Sequence, residues 1–372
     1  MHIKNLQLSN FNNYINENAV FHPQMNALTG KNGMGKTNLL DAVYYLCIGK
    51  SYFSSGDKYV VKKGEAFFRL FGTFSQNDEK ETVEVKVTPG KKKEISLSGK
   101  KRDKLSDHIG AFPVVIIAPA DIRLMIEGSE ERRKFLDNTA MQFDRSYVDA
   151  ILTYNKLLKQ RNALLKQFAE KGYYDSRLLE AISKGMYAPA QKIYDERKKL
   201  VDDMTPLFAK HYAAISSGIE RCTINYSSPL EEKTLREIFE ANQDKDKYLC
   251  RTASGIHKDD ISLKIDDESL KNFASQGQLK SVILALKLAQ YDILASRNGK
   301  LPLLLLDDIF DKLDSLRVEQ LLTLLASDKV GQVFISDTNQ DRIPQLLTKI
   351  NIDHKVYSVD AGQLEEIRGE AQ

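Results

Sequence analysis

At 372 residues the chain has room for two or three domains of about 150 residues each, and 42% apolar with 28% charged residues excludes both a disulfide-stapled mini-protein and wholesale disorder. Fifty-four Lys and Arg against 51 Asp and Glu leave a formal charge of +3, so any nucleic-acid-binding surface is local, not global. Three widely spaced cysteines, Cys47, Cys222 and Cys250, make neither a disulfide framework nor a zinc knuckle and point to a reducing compartment.

The opening Met1-His2-Ile3-Lys4-Asn5 lacks a basic region followed by an apolar core, so no secretory signal is expected. The longest uncharged apolar stretch, Ala111 to Ala120, is about half of the roughly 20 residues a membrane span needs and contains Pro113 and Pro119. A cytoplasmic protein without a membrane partner is expected. Residues 1 to 118 read mainly as strands, with turns at Pro23, Gly64, Pro89 and Gly99 and one helical pattern from Lys36 to Ile48. Between the strand candidate Asn26–Thr29 and that helix lies Gly30-Lys31-Asn32-Gly33-Met34-Gly35-Lys36-Thr37, which satisfies G-x-x-x-x-G-K-[ST] in the strand–loop–helix context the motif requires. Its glycines let the backbone curl so that N–H groups and the helix N-terminus face a phosphate. Lys36 is then the cation for the β and γ phosphates, and Thr37 offers its hydroxyl to Mg²⁺.

Lys91 to Lys104 holds Lys91, Lys92, Lys93, Lys100, Lys101, Arg102 and Lys104 against Glu94 and Asp103, with Ile95 and Leu97 alternating between the basic clusters. Two readings are open: a hairpin presenting a DNA-phosphate-binding edge, or a solvated edge that its lysines protect from pairing. From 129 to 219 the pattern turns helical, with Leu157, Leu158, Arg161, Leu164, Leu165 and Phe168 on its period. Lys156, Lys159, Arg161 and Lys166 lie there but do not establish one basic stripe. Strand candidates return at Thr223–Tyr226 and Ser262–Ile265, followed by helix 277–297, strand 303–306, helix 315–326 and strand 332–336. Strands alternating with helices imply a largely parallel, helix-covered sheet.

Ser275-Gln276-Gly277-Gln278 opens the helix at 277, either capping a core helix or presenting its positive end to a second phosphate. Leu303 to Leu306 ends in Asp307-Asp308, as expected of a buried parallel strand whose carboxyl end faces a ligand. Asp307 is the metal-associated acid. Asp308 either holds or deprotonates the attacking water or serves as a cap. His257, beside Lys258-Asp259-Asp260, has no second ligand at metal spacing and reads as structural.

A phosphate loop, then S-x-G-Q, then a double-acid strand, then Asp311-Lys312-Leu313-Asp314 is the order of ATP-binding-cassette heads. With Asn10-Phe11-Asn12-Asn13-Tyr14, Glu131 to Asp137, Leu157 to Asn162 and Gly255 to Asp260, the chain resembles, nearly end to end, the bacterial RecF family of SMC-related head ATPases. The resemblance implies an α/β, ABC/SMC-type head with an inserted all-helical domain: head residues 1–120, helical arm 121–220, head residues 221–372. It implies ATP contacts from Gly30 through Thr37 and Asn38, with Lys36 and Asp308 catalytic and Thr37 and Asp307 on Mg²⁺. In an ATP-dependent homodimer, Ser275, Gln276, Gly277 and Gln278 of one subunit close over the partner's ATP, beside Asp311 and Asp314. The implied activity is weak, switch-like ATP hydrolysis on double-stranded or gapped DNA during replication, repair and the SOS response. RecR, with RecO, is the implied partner in loading RecA.

Asn12, Phe53, Ala120 and Ile256 depart from residues common in that family, so contacts assigned to Arg at the first two positions do not carry over. Asp308 stands where cassette ATPases have Glu, and Asp337 where many have His. A transport cassette, an SMC-like structural protein or a defence ATPase is the alternative class.

Overall fold

The computed structural model describes residues 1–76, 79–216, 218, 220–266, 268–270, 274–310, 315–327 and 329–367. Residues 1–121 and 290–372 form one compact unit, and residues 122–289 form a second.

The first unit begins with β1 (His2–Phe11), β2 (Tyr14–Val20), β3 (Met25–Thr29) and helix α1 (Lys36–Ile48). There follow β4 (Phe68–Gln76), β5 (Glu79–Val87), β6 (Glu94–Leu97), β7 (Lys100–Lys101) and β8 (Val114–Ile117). An antiparallel sheet runs in the order β2-β1-β4-β5-β6-β7. On β1 the buried residues are Ile3, Leu6, Leu8 and Phe11. Strict alternation fails because the register slips between Ile3 and Asn5, and because Asn10 takes a left-handed φ of 54°. These side chains, with Phe68, Leu70, Phe74, Val83 and Val85, join the core that buries α1.

The second unit opens with α2 (Arg123–Ile126), α3 (Ser129–Ala140), α4 (Arg145–Lys171) and α5 (Ser176–Ser216). α4 and α5 pack as a helical hairpin turned at Gly172, whose left-handed conformation ends α4. Next come β9 (Cys222–Ser227), α6 (Leu235–Ala241), α7 (Gln243–Leu249), β10 (Asp260–Ile265) and β11 (Glu268–Ser269), the strands forming an antiparallel sheet β11-β10-β9. α8 (Gln276–Asn298) leads from the second unit into the first.

This corrects two expectations. The helical insert, closed at 220 on sequence grounds, extends to Ala289, and the strands at 222–227 and 260–265 pair with each other outside the parallel sheet. The reason is a set of buried polar anchors. Arg197 of α5, 2% exposed, donates to Asp137 at 2.9 Å, to Asp259 at 2.7 Å and to the Ile256 carbonyl at 2.8 Å. Tyr226 of β9 donates to the same Asp259 at 2.6 Å. Arg132 bonds Asp260 through two nitrogens, at 2.7 and 2.9 Å. Arg161 is buried against Asp246 at 2.7 Å and Thr252 at 2.7 Å, and is therefore no part of a surface basic stripe.

The chain returns to the first unit through β12 (Leu303–Leu306), α9 (Ser315–Leu325), β13 (Val333–Asp337), α10 (Arg342–Lys349), β14 (His354–Asp360) and β15 (Gln363–Ile367). The second sheet runs β15-β14-β3-β13-β12-β8, parallel except for β14–β15. β3, β8, β12 and β13 are buried at every position, which accounts for the unbroken apolar runs of β8 and β12, while β3 and β13 also bury Asn26, Thr29, Ser336 and Asp337. The Gln332 side chain ties the two sheets, accepting from Ile3 N–H at 2.7 Å and donating to Ile3 O at 2.9 Å. Among the described residues no helix is long and apolar enough to cross a membrane.

Candidate nucleotide site

β3 and β12 bring the phosphate loop and the strand-end acids to the same carboxyl edge of the parallel sheet, where open α/β sheets take their ligands. Gly30 has φ +143°, and a Cβ there would meet the Val359 carbonyl oxygen at 2.4 Å, so β14 admits only glycine. Lys36, 3% exposed, folds over the loop and donates to Gly30 O at 2.7 Å and Lys31 O at 3.1 Å. Thr37 Oγ1 donates to the Asp307 carboxylate, 2.9 and 3.0 Å from its two oxygens. Ser336, at the end of β13, donates to Asp307 Oδ1 at 2.8 Å and accepts the Asp308 N–H at 2.9 Å. One serine thus holds the Asp307 carboxylate and the Asp308 backbone. Asp308 takes a left-handed φ of 44°, which turns its side chain out of the strand's alternation.

Burial, then the neighbouring Asp308 carboxylate, push the Asp307 carboxyl above its usual range, against its bonds from Ser336 and Thr37. A cation placed there relieves that cost. A hard carboxylate touching a threonine hydroxyl matches the oxygen ligands Mg²⁺ takes. Among the described residues no cluster of three or more His, Cys, Asp or Glu can hold a metal, so phosphate and water must complete such a coordination shell.

A ring of residues behind the loop holds its shape. Asn13 Nδ2 donates to Met34 O at 2.8 Å, Asn38 Nδ2 donates to Asn13 Oδ1 at 2.7 Å, and Tyr14 Oη donates to Gly35 O at 3.0 Å. Lys62 Nζ grips Asn13 O at 2.9 Å, and Gly362 N–H reaches Met34 O at 2.9 Å. Sequence reasoning gave Ser336, Asn13, Tyr14 and Lys62 no role in the site. The Ile335-Ser336 strand end was the one signal for the first; the others depend on pairing between remote strands. Asp337 accepts from Arg342 at 2.7 and 2.8 Å, so a fixed ion pair occupies that position.

The remaining candidates lie apart in the chain. In the second unit Ser275 N–H donates to Gln278 Oε1 at 2.7 Å, and Gln278 N–H to Ser275 Oγ at 3.2 Å, a reciprocal cap on α8. Ser275, Gln276 and Gly277 are exposed. Asp311 and Asp314 lie outside the described residues. Of the basic hairpin, Lys91, Lys92, Lys100, Lys101 and Lys104 are exposed and Arg102 half-buried, while Lys93 is engaged with Gly49 O and Asp57. His257 is structural in its contacts: Nε2 lies 3.2 Å from Thr252 O and Nδ1 2.9 Å from Tyr154 Oη.

Residues 2–359 match the RecF/RecN/SMC N terminal domain. The chain is similar to the DNA replication and repair protein RecF of Flavobacterium johnsoniae, 41% identical over 359 residues covering 96% of this chain and 100% of that protein. It is likewise similar to RecF of Parabacteroides distasonis, 38% identical over 98% of this chain and 99% of that one. A solved structure of the recombination mediator protein RecF with ATP, from the RecFOR pathway, superposes with a TM-score of 0.89 at 27% identity, covering 99% of this chain and 98% of that chain. An Smc head bound to the C-terminal winged-helix domain of ScpA shares the fold at a TM-score of 0.58 and 16% identity, covering 99% of this chain and 97% of that chain.

Proposed function

The chain belongs to the RecF family of RecF/RecN/SMC N-terminal-domain proteins, and from that premise we propose that it is an ATP-switched DNA-binding protein of replication and gap repair. The observation that carries the reading is the meeting of Lys36, Thr37, Asp307 and Ser336 at one sheet edge. In this reading Lys36 leaves its loop carbonyls for the β and γ phosphates, and Thr37 and Asp307 would hold Mg²⁺, which would supply charge neutralisation on the phosphates. Asp308, set by Ser336, orients or deprotonates the attacking water. Its shorter side chain and the absence of His at Asp337 fit slow turnover. The exposed Ser275-Gln276-Gly277 end of α8 offers helix N–H groups to the γ-phosphate on a partner copy's loop, so two chains close on two ATP molecules. Asp311 and Asp314 would border that interface. The closed pair then presents its basic residues to double-stranded or gapped DNA in the cytoplasm. RecR, alongside RecO, joins it to load RecA.

The test is oligomeric state. Asp308→Asn with ATP and Mg²⁺ is expected to run as a stable dimer in light scattering at micromolar concentration, and Lys36→Arg to lose nucleotide binding or hydrolysis. An Asp308→Asn chain that stays monomeric overturns the switch.

A further inference from the structure

α1 joins the nucleotide site to the basic hairpin. It begins with Lys36 and Thr37 in the phosphate loop and ends at Gly49, which caps it in a left-handed conformation, φ 78°, with its N–H on Tyr45 O at 2.7 Å. Three residues from β6 and its flanks converge on that cap. Lys93 Nζ donates to Gly49 O at 2.5 Å, and a Cβ at Gly49 would lie 2.3 Å from Leu105 Cδ1 and 3.2 Å from Ile95 Cδ1. A side chain there would be strained by the positive φ and would have to displace Leu105. The same ammonium pairs with Asp57 at 3.0 Å and lies 4.7 Å over the Tyr45 ring, whose hydroxyl donates to Asp57 at 2.6 Å. Midway along the helix, Asp41 accepts from Ser51 Oγ at 2.7 Å and Tyr52 N–H at 2.8 Å, so the chain from Gly49 to Asp57 is tied down at two levels.

Lys93 therefore neutralises the negative end of α1 and a carboxylate, and its charge is already committed. A helix of 13 residues is a stiff rod of about 20 Å, and a displacement at the phosphate loop reaches its cap with little loss. We propose that the Gly49–Lys93–Asp57 junction couples nucleotide to DNA, α1 carrying the state of the phosphate loop to the turn that holds Lys91 and Lys92 and, through β6, to Lys100 and Lys101 on β7. This rests on the reading of the chain as an ATP-switched DNA binder. Lys93 acts in it as a positioning residue and not as a phosphate contact.

The experiment measures the dissociation constant of a gapped duplex by fluorescence anisotropy, with ATP and without nucleotide, for the wild type, Asp57→Asn, Lys93→Met and Lys93→Arg. The wild-type ratio of the two constants, expected to be about five-fold or more, falls to near unity in Asp57→Asn and Lys93→Met and recovers in Lys93→Arg. DNA-free ATP turnover of Asp57→Asn stays at the wild-type rate. If both variants keep the wild-type ratio while affinity changes equally in the two nucleotide states, the junction is overturned and the function stands. If the wild type itself binds DNA equally with and without ATP, the functional reading fails, and the junction with it.

Discussion

His257 and Asp41 are single side chains whose protonation folding forces in opposite directions. Burial lowers the His257 pKa from its ordinary 6.5 to about 4, and the Thr252 carbonyl beside Nε2 fixes the neutral tautomer, with Nδ1 accepting from the Tyr154 hydroxyl. Between those values the unfolded chain takes up the proton first, so the stability from neutral His257 is present above pH 6.5 and lost as pH falls toward 4. Burial raises Asp41 from 3.8 to about 6, so its contribution runs the other way, eroding as pH rises through that window. His257→Gln keeps one donor and one acceptor but does not titrate. Its unfolding free energy from urea denaturation should therefore vary less between pH 7.5 and 4.5 than the wild type's, by on the order of 3 kcal/mol at full titration. An identical acid slope in both proteins would place the titration elsewhere. At this scale the sequence marks Lys36, Thr37 and Asp307, because a fixed spacing and a strand end announce them. Arg161 shows the opposite case: its place on the helical period among Leu157, Leu158, Leu164 and Leu165 is legible, but its partner Asp246 lies on another helix that only folding brings near.

Among elements, α1 is legible to the residue, since a glycine loop starts it and Gly49 stops it. β12 is legible because burial on both faces leaves no polar position, and β13 because Val333, Phe334 and Ile335 make an apolar run before its polar end. β9 and β10 are legible as strands but not as a separate sheet, for strand direction is decided by partners and not by pattern. What holds that second sheet to the helices is Arg197 of α5, between Asp137 and Asp259. Arg197→Met leaves Asp259 buried and Asp137 half-buried without their counter-charge and should cost about 3–5 kcal/mol. Lys184→Ala, breaking the exposed pair with Glu180, should cost far less, because solvent already screens that pair. Denaturant unfolding followed by far-ultraviolet circular dichroism compares them, and equal losses would remove Arg197 as the anchor.

For the whole molecule, a formal charge of +3 leaves DNA affinity to local clusters. If the exposed lysines of the hairpin meet phosphates, Lys100→Ala with Lys101→Ala should weaken binding about equally for all sequences. It should also reduce the slope of log affinity against log salt by about 2. Anisotropy across a salt series measures that slope, and an unchanged value puts the DNA on another face. The far edge of the second unit, at Ala289, was not legible in the sequence, because the anchors within that unit pair residues far apart in the chain.

β3, the strand that launches the phosphate loop, lies between β13 and β14. Both neighbours leave the ribosome only after the entire second unit has been made. At about 5–20 residues per second the nascent loop spends tens of seconds beside a bare apolar strand with nothing to pair with. A chain cut short before β13 thus leaves β3, and the loop it launches, without either strand that flanks it.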